Sequence, residues 1–326
     1  MGNNNILVTG GAGYIGSVLV NQLLINNKKI RVVDYLSNGG EALLLMYNNP
    51  NFELIKADIR DMNVMDALLD DIDVVVHLAA IVGDPACAKK PDLAKSINEE
   101  GSKMLYNLCE KKRVKKFIFA STCSNYGKMV DENSLVNEMS ELRPVSLYAE
   151  TKVAVEQYIL SQPKTNNCKP VSLRFSTVFG ISPCIRFDLT VNEFTKEIAL
   201  GRELVIYGEQ FWRPYCHVYD IAKAVITVMD FNDDIVGFNV FNVGDTNQNY
   251  QKITLAKYLL ELFPCAKIKY IQKVEDPRDY RVDFSKINNI LNYKTIISIK
   301  HGIYEIAKAI KDGVFTNPDD NKYISN

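Results

Sequence analysis

Tyr148 and Lys152 stand four positions apart in Leu147-Tyr148-Ala149-Glu150-Thr151-Lys152. On a helix this spacing places a phenol and an ammonium one turn apart on the same face. An unperturbed tyrosine titrates at about 10. A neighbouring ammonium favours its ionised form. The pair therefore predicts a base able to take a proton from a hydroxyl near neutral pH. Tyr-x-x-x-Lys is also a loose pattern that ordinary amphipathic helices carry, so its meaning depends on its company in the chain.

That company includes Thr9-Gly10-Gly11-Ala12-Gly13-Tyr14-Ile15-Gly16 near the start of the chain. The segment follows a short apolar run and opens a helical pattern, the setting in which a glycine turn receives a dinucleotide. Gly10 permits the tight turn, Gly13 lets the backbone approach a pyrophosphate, and Gly16 lets the helix pack closely. The helix N-terminus then meets the phosphate charge. Asp34 ends the second apolar run, about twenty residues on, where a carboxylate accepts from ribose hydroxyls and disfavours a 2′-phosphate. The cofactor expected is NAD. Asp58 and Ile59 follow the third run and are placed for adenine, or Asp58 caps a helix. Ser121-Thr122-Cys123-Ser124 closes the run 117–120 and offers three hydroxyls at a strand's carboxyl end, where ligands of such sheets bind. A polar turn that caps the next element is the plain alternative.

These groups need a scaffold, and the hydrophobic pattern supplies one. Runs at 6–9, 30–34, 52–56, 74–77, 117–120 and 171–175 are rich in β-branched or aromatic residues, and most lack polar alternation. They predict parallel strands buried on both faces. Helical spacing at 14–26, 62–69, 93–111 and 147–160 lies between them, which predicts an α/β, Rossmann-type doubly wound sheet. After Gly180 the rhythm breaks, with helical patterns at 187–200, 220–231, 253–262, 285–291 and 298–310 and short strands at 204–207, 240–243 and 268–271. The expected division is an NAD-binding domain over 1–180, to which segments near 215–245 return, a smaller mixed α/β substrate lobe over 181–315, and a flexible tail over 316–326.

Composition narrows the partners. The chain has 326 residues, a formal net charge of −1 and 47% hydrophobic residues. That near-neutral balance gives no field for nucleic acid or an anionic membrane. Lys111, Lys112, Arg113, Lys115 and Lys116 read as a solvated helix end. Seven scattered cysteines without a Cys-x-x-Cys pair, and three histidines, argue against a metal site. Reduced thiols fit a cytoplasmic protein. There is no apolar stretch of bilayer length and no signal-like start.

Taken in order, the glycine turn, Asp34, Asp58-Ile59, His77-Leu78-Ala79-Ala80, Ser121-Thr122 with Tyr126-Gly127, Tyr148 with Lys152, and Arg213-Pro214-Tyr215-Cys216-His217-Val218 carry a resemblance. The chain resembles an extended short-chain dehydrogenase/reductase of the nucleotide-sugar epimerase/dehydratase group, over nearly its whole length. The resemblance implies that Gly10, Gly13, Tyr14, Ile15, Gly16, Asp34, Asp58 and Ile59 bind NAD, and that Leu78, Ala79 and Ala80 line it. It further implies that Asn98 orders the site, that Lys152 also holds the nicotinamide ribose, and that Phe175 passes under the nicotinamide. Thr122, Tyr148 and Lys152 would be the catalytic set. Arg213 would grip the substrate diphosphate with the forked geometry arginine suits, assisted by Asn192 and Arg281, with Cys123 and Ser124 on the sugar side. A homodimer through helices 93–111 and 147–160 is implied as well.

One departure matters. In the 4,6-dehydratases the catalytic Thr is followed by Asp and Glu, whereas here Cys123 and Ser124 follow Thr122. The Ser-Glu pattern of the decarboxylases is absent too. The expectation is therefore an NAD-dependent nucleotide-sugar epimerase acting at C4 through a transient keto-sugar. A C4 dehydrogenase or 4,6-dehydratase-like enzyme is the alternative, and a non-catalytic NAD sensor a third reading. Cys123 is either a proton shuttle beside the ketone or a small buried filler.

Overall fold

The apolar runs become strands because side chains alternate between two buried faces. The structure, a computed structural model, describes residues 5–129, 134–165, 167–272 and 278–325. Its strands are β1 (Asn5–Thr9), β2 (Lys29–Asp34), β3 (Phe52–Lys56), β4 (Val74–His77), β5 (Lys116–Thr122), β6 (Lys169–Phe175), β7 (Thr177–Phe179), β8 (Leu204–Tyr207), β9 (Trp212–His217), β10 (Asn239–Val243), β11 (Asn249–Gln251) and β12 (Ile268–Ile271). Its helices are α1 (Tyr14–Ile25), α2 (Met62–Leu68), α3 (Asp84–Lys89), α4 (Pro91–Ala94), α5 (Ser102–Lys111), α6 (Leu147–Leu160), α7 (Thr190–Ala199), α8 (Val218–Asp230), α9 (Asp233–Val236), α10 (Lys252–Leu262), α11 (Ser285–Leu291) and α12 (Ile299–Lys311).

Seven strands form one parallel sheet in the order β10-β6-β5-β4-β1-β2-β3. This is the Rossmann-like α/β fold. Ile6, Val8, Val74 and Val76 pack under α1 and α8 on one face, against Leu19, Leu23, Val225 and Val228. Leu7, Val75, Phe117 and Phe119 pack on the other against Met65, Leu105, Val155 and Ile159. The chain reverses its winding between β1 and β4, and ligands of such sheets bind at that switch point. Thr9 and His77 are register partners there.

The remaining strands form a three-stranded sheet, β11-β9-β7, and a pair, β12-β8. With α7, α10 and α12 they enclose a second core containing Phe179, Phe194, Ile206, Tyr215, Leu259 and Ile303. β10 leaves that lobe to become the outer strand beside β6.

Two expectations change. The stretch expected as one helix over 93–111 is interrupted by a π-helical segment, Lys95–Gly101, between α4 and α5. Lys116 is not a solvated cation: it is 1% exposed, and its ammonium donates to the carbonyls of Val228, Met229 and Phe231. Beyond α12, the Phe315 and Tyr323 rings lie against Phe187. Among the described residues no helix is long and apolar enough to cross a membrane, and no His/Cys/Asp/Glu cluster has the makings of a metal site.

Candidate active site

The glycine turn is shaped by close approach. Gly10 has φ +74°, and a Cβ there would sit 2.7 Å from the Ala79 nitrogen. A Cβ on Gly16 would sit 2.2 Å from the Gly10 oxygen, so the first turn of α1 lies directly on the loop. The N-terminus of α1 has no side-chain cap and no acidic residue in its first turn, which leaves its positive end for an anion. Asp34 borders the turn, accepting from the Ala12 N–H at 2.9 Å and the Leu36 N–H at 2.8 Å. Burial pushes its carboxyl upward. A cradle closed to Cβ atoms, an uncapped helix start and a carboxylate at the end of β2 suit a dinucleotide.

Thr9, His77 and Ser102 brace the floor of this cradle. The Thr9 hydroxyl is 2.6 Å from His77 Nδ1, and His77 Nε2 is 2.8 Å from the Ser102 hydroxyl, which donates to Asn98 O. Asn98 is fully buried: Nδ2 donates to Ile81 O at 2.9 Å and to Cys87 Sγ at 3.8 Å, and Oδ1 accepts from Ile81 N–H at 2.8 Å. It thus fixes the loop that carries Leu78, Ala79 and Ala80, each partly exposed. Asp58 is held by the Arg60 guanidinium, which keeps its carboxyl below the usual range. The helix cap after β3 is Asp61.

Tyr148 and Lys152 lie on α6, started by Ser146, whose hydroxyl accepts from Ala149 N–H. The Lys152 ammonium is 5.9 Å from the Tyr148 ring centroid and 4.8 Å from that of Phe119 on β5. Burial pushes Lys152 down to about 8. Burial pushes the Tyr148 phenol up, and the cation that opposes this is Arg186. The expected assistance from Lys152 is therefore not what governs the phenol here. Thr122 ends β5, with its hydroxyl accepting from Ser124 N–H at 3.1 Å.

The far wall is basic and aromatic. The Arg213 guanidinium lies 5.4 Å from the Tyr280 ring centroid, and that of Arg281 lies 5.0 Å from the Trp212 ring centroid. The Tyr280 hydroxyl reaches Ser124 at 3.5 Å, tying this wall to the end of β5. Guanidinium is the planar, forked cation that suits phosphate oxygens.

Three expected ligands have other duties. Cys123 is fully buried and its thiol donates to Arg174 O at 3.2 Å. Burial pushes that thiol up, and in this structure the side chain packs as part of the core. Asn192 is fully buried, with Oδ1 accepting from Gly180 N–H and Nδ2 donating to Arg186 O and the Tyr14 hydroxyl. It shapes the turn after β7 and has no amide group left for substrate. The Tyr14 hydroxyl donates to Gly180 O at 2.6 Å, which leaves only its backbone at the helix start for a cofactor. Phe175 is buried at the end of β6, and Ile59 is buried beside Gly101.

Sequence reading places Asp84 and Arg186 in loops that shape substrate discrimination, 81–90 and 182–192, but gives neither them nor Tyr280 the influence on Tyr148 that the fold creates. Asp84 joins Ser146 at 2.7 Å to Arg278 at 2.8 Å, fastening the start of α6 to the end of the chain's second lobe. Ser146 was detectable as an N-cap preference, whereas Arg186 and Tyr280 reach Tyr148 only through folding.

Comparison with known proteins agrees with this geometry. The sequence profile of the NAD dependent epimerase/dehydratase family matches residues 6–244. A UDP-glucose 4-epimerase from Thermotoga maritima, solved with UDP-glucose, is 28% identical with a TM-score of 0.84, covering 95% of this chain and 100% of that one. A UDP-glucuronic acid 4-epimerase from Bacillus cereus, solved with UDP-glucuronic acid and NAD, is 27% identical with a TM-score of 0.84, covering 94% and 99%. A UDP-glucuronic acid decarboxylase from Arabidopsis thaliana is 26% identical over 318 residues, 95% of this chain and 69% of its own.

Proposed function

Because this chain belongs to the NAD dependent epimerase/dehydratase family, we propose that it inverts C4 of a nucleotide-diphosphate sugar. When bound, NAD would supply a reversible hydride acceptor and a positive charge near the phenol. Gly10, Gly13, Gly16 and the start of α1 would hold its pyrophosphate, and Asp34 its adenosine ribose. Tyr148 would take the C4 hydroxyl proton as the C4 hydrogen leaves as hydride, giving a keto-sugar. Thr122 would hydrogen-bond the reacting oxygen. After the sugar turns over, Tyr148 returns the proton as the hydride comes back to the other face. Lys152 would hold the nicotinamide ribose. Arg213 and Arg281 would hold the diphosphate.

The observation that carries this reading is the turn after Thr122. Cys123 points into the core and Ser124 faces Tyr280, so the two positions that carry carboxylates in the 4,6-dehydratases hold a thiol and a hydroxyl here, with no carboxylic acid pair for dehydration. UDP-sugars are the first class to test, since the Thermotoga maritima and Bacillus cereus epimerases carry them in their names. Reducing surroundings in the cytoplasm suit the seven free cysteines. A homodimer through α5 and α6 belongs to the same reading, and sedimentation of the purified chain tests it.

The deciding experiment is a screen of UDP-, dTDP-, GDP- and CDP-sugars, with products read by NMR. Inversion at C4, with no net change at the nicotinamide absorbance band, is expected. Tyr148→Phe should lower kcat by about 10²–10⁴-fold, the range for losing a general acid/base. Accumulating reduced cofactor would indicate a C4 dehydrogenase instead. A Tyr148→Phe variant as active as the parent would overturn the mechanism.

A further inference from the structure

The segment after α12 is held at several points. Phe187, Phe315 and Tyr323 form three edge-to-face ring pairs with centroids 5.0, 5.5 and 5.6 Å apart. Phe187 N–H donates to Tyr323 O at 2.7 Å. Asp319 is paired with Lys196 and Arg202. Ser325 then uses both of its donors on two different loops: its N–H donates to Asp188 Oδ2 at 3.2 Å and its hydroxyl to Val82 O at 2.8 Å.

Those loops are not neighbours in sequence. Val82 follows β4 in the main sheet, next to Ile81, which Asn98 fixes. Asp188 precedes α7 in the second lobe and is forked onto Arg186 through Nε at 3.0 Å and Nη2 at 2.6 Å. Arg186 is the cation that acts on Tyr148. One short peptide therefore links a main-sheet loop, a second-lobe loop and, through the Asp188 carboxylate, the Arg186 guanidinium whose charge acts on Tyr148.

We propose that residues 315–325 are a strap that ties the loop after β4 to the loop before α7, and that Tyr323 and Ser325 are positioning residues for the nucleotide-sugar site. The sugar part rests on the C4-epimerase reading; the strap itself does not. Loops ordered before the ligand arrives do not have to be ordered by it. Loss of the strap should therefore appear in KM and leave kcat nearly unchanged, the pattern of lost uniform binding.

The test compares the full chain with Tyr323→Ala and with a chain ending at Thr316. Hydrogen exchange is followed at amides 81–88 and 185–189, alongside KM and kcat for the sugar that the full chain inverts. Exchange at both loops should rise at least ~10-fold, with α1 and the central strands unchanged. KM should rise ~5- to 10-fold with kcat within ~2-fold. Unchanged exchange at either loop, or a lower melting temperature with KM unaltered, would show a mere surface staple and overturn the proposal. If the full chain inverts no nucleotide sugar, the functional reading fails while the exchange comparison still decides the strap. Should the chain ending at Thr316 not fold, Tyr323→Ala alone supplies the answer.

Discussion

Glu156 and Arg174 form an ion pair sealed between α6 and β6, with side chains 2% and 4% exposed. Glu156 lies one turn beyond Lys152 on the face that also carries Tyr148. Its carboxylate accepts from Arg174 Nε at 3.1 Å and from the Ser172 hydroxyl at 2.6 Å. Arg174 also donates to the Tyr126 hydroxyl oxygen at 2.8 Å, and that hydroxyl donates to Asn242 at 2.7 Å. The network locks α6, which carries Tyr148 and Lys152, to the sheet and to the turn that follows Thr122.

Breaking that pair on one side strands a charge. Arg174→Met should cost about 3–5 kcal/mol of stability, the usual penalty for an orphaned buried ion. Adding Glu156→Leu should restore most of the loss. Urea denaturation measures both. A single variant losing less than about 1 kcal/mol would mean that water reaches the carboxylate.

Gly16→Ala should empty the cofactor site. The new Cβ would press on the Gly10 oxygen at 2.2 Å and on Gly11 Cα at 2.6 Å, so the loop must move off α1. A stability loss of about 1–3 kcal/mol from overpacking is expected, together with NAD content lowered at least ~10-fold because the turn and helix start shape the pyrophosphate seat. Full retention of NAD by the purified variant would contradict this.

Lys152 is stabilising for chemistry and destabilising for the fold. Its native pKa is lowered to about 8 from 10.5 by burial. Below pH 8 the lysine is charged in both states and the burial cost is fully present. Between pH 8 and 10.5 the unfolded chain keeps a proton that the native one has released, and the cost fades. Lys152→Met should therefore be more stable than the parent at pH 7, by on the order of 3 kcal/mol, and no more stable near pH 10.5. Melting temperatures across that range, with activity lost throughout, are the check; equal gains at all pH values would refute the argument.

His77 sets an acid limit. Burial, with a smaller contribution from the Lys152 charge, lowers its native pKa to about 3 from 6.5. The unfolded chain binds a proton below pH 6.5 that the native one refuses until about 3, so stability falls as the pH drops through that window. One such group contributes a slope of at most about 1.4 kcal/mol per pH unit. His77→Asn should start less stable, having lost the Thr9 and Ser102 contacts, yet show a shallower decline between pH 6.5 and 4. Parallel declines would remove His77 as the cause.

The main sheet was legible because most of its strands are runs of β-branched or aromatic residues, buried throughout at β4 and β5, and the glycine turn because its conformation excludes a Cβ. Tyr148 and Lys152 were legible as a spacing. The three-residue strands β7 and β11 carry too little pattern to stand out from loop. Cys123, Asn192 and Asn98 were read as site groups because sequence gives their order along the chain but not the direction in which they point. In space their polar atoms meet Arg174, Gly180 and Ile81, partners remote in sequence. The same blindness hid Arg186, whose influence on Tyr148 exists only once the second lobe folds back over the first. The Asn, Asp and Pro content after Thr316 hides the ring of Tyr323, which lies against Phe187.

The π-helical stretch Lys95–Gly101 works as a rotational register. Its wider i→i+5 turns take up an extra residue between α4 and α5 without turning the rows on either side. Regular α-helix has no such slack, since each residue turns the chain by about 100°. A one-residue deletion inside α5 would therefore swing Leu105, Tyr106 and Cys109 away from the strands they cover, whereas the same deletion in the π-helical stretch has a turn to give up.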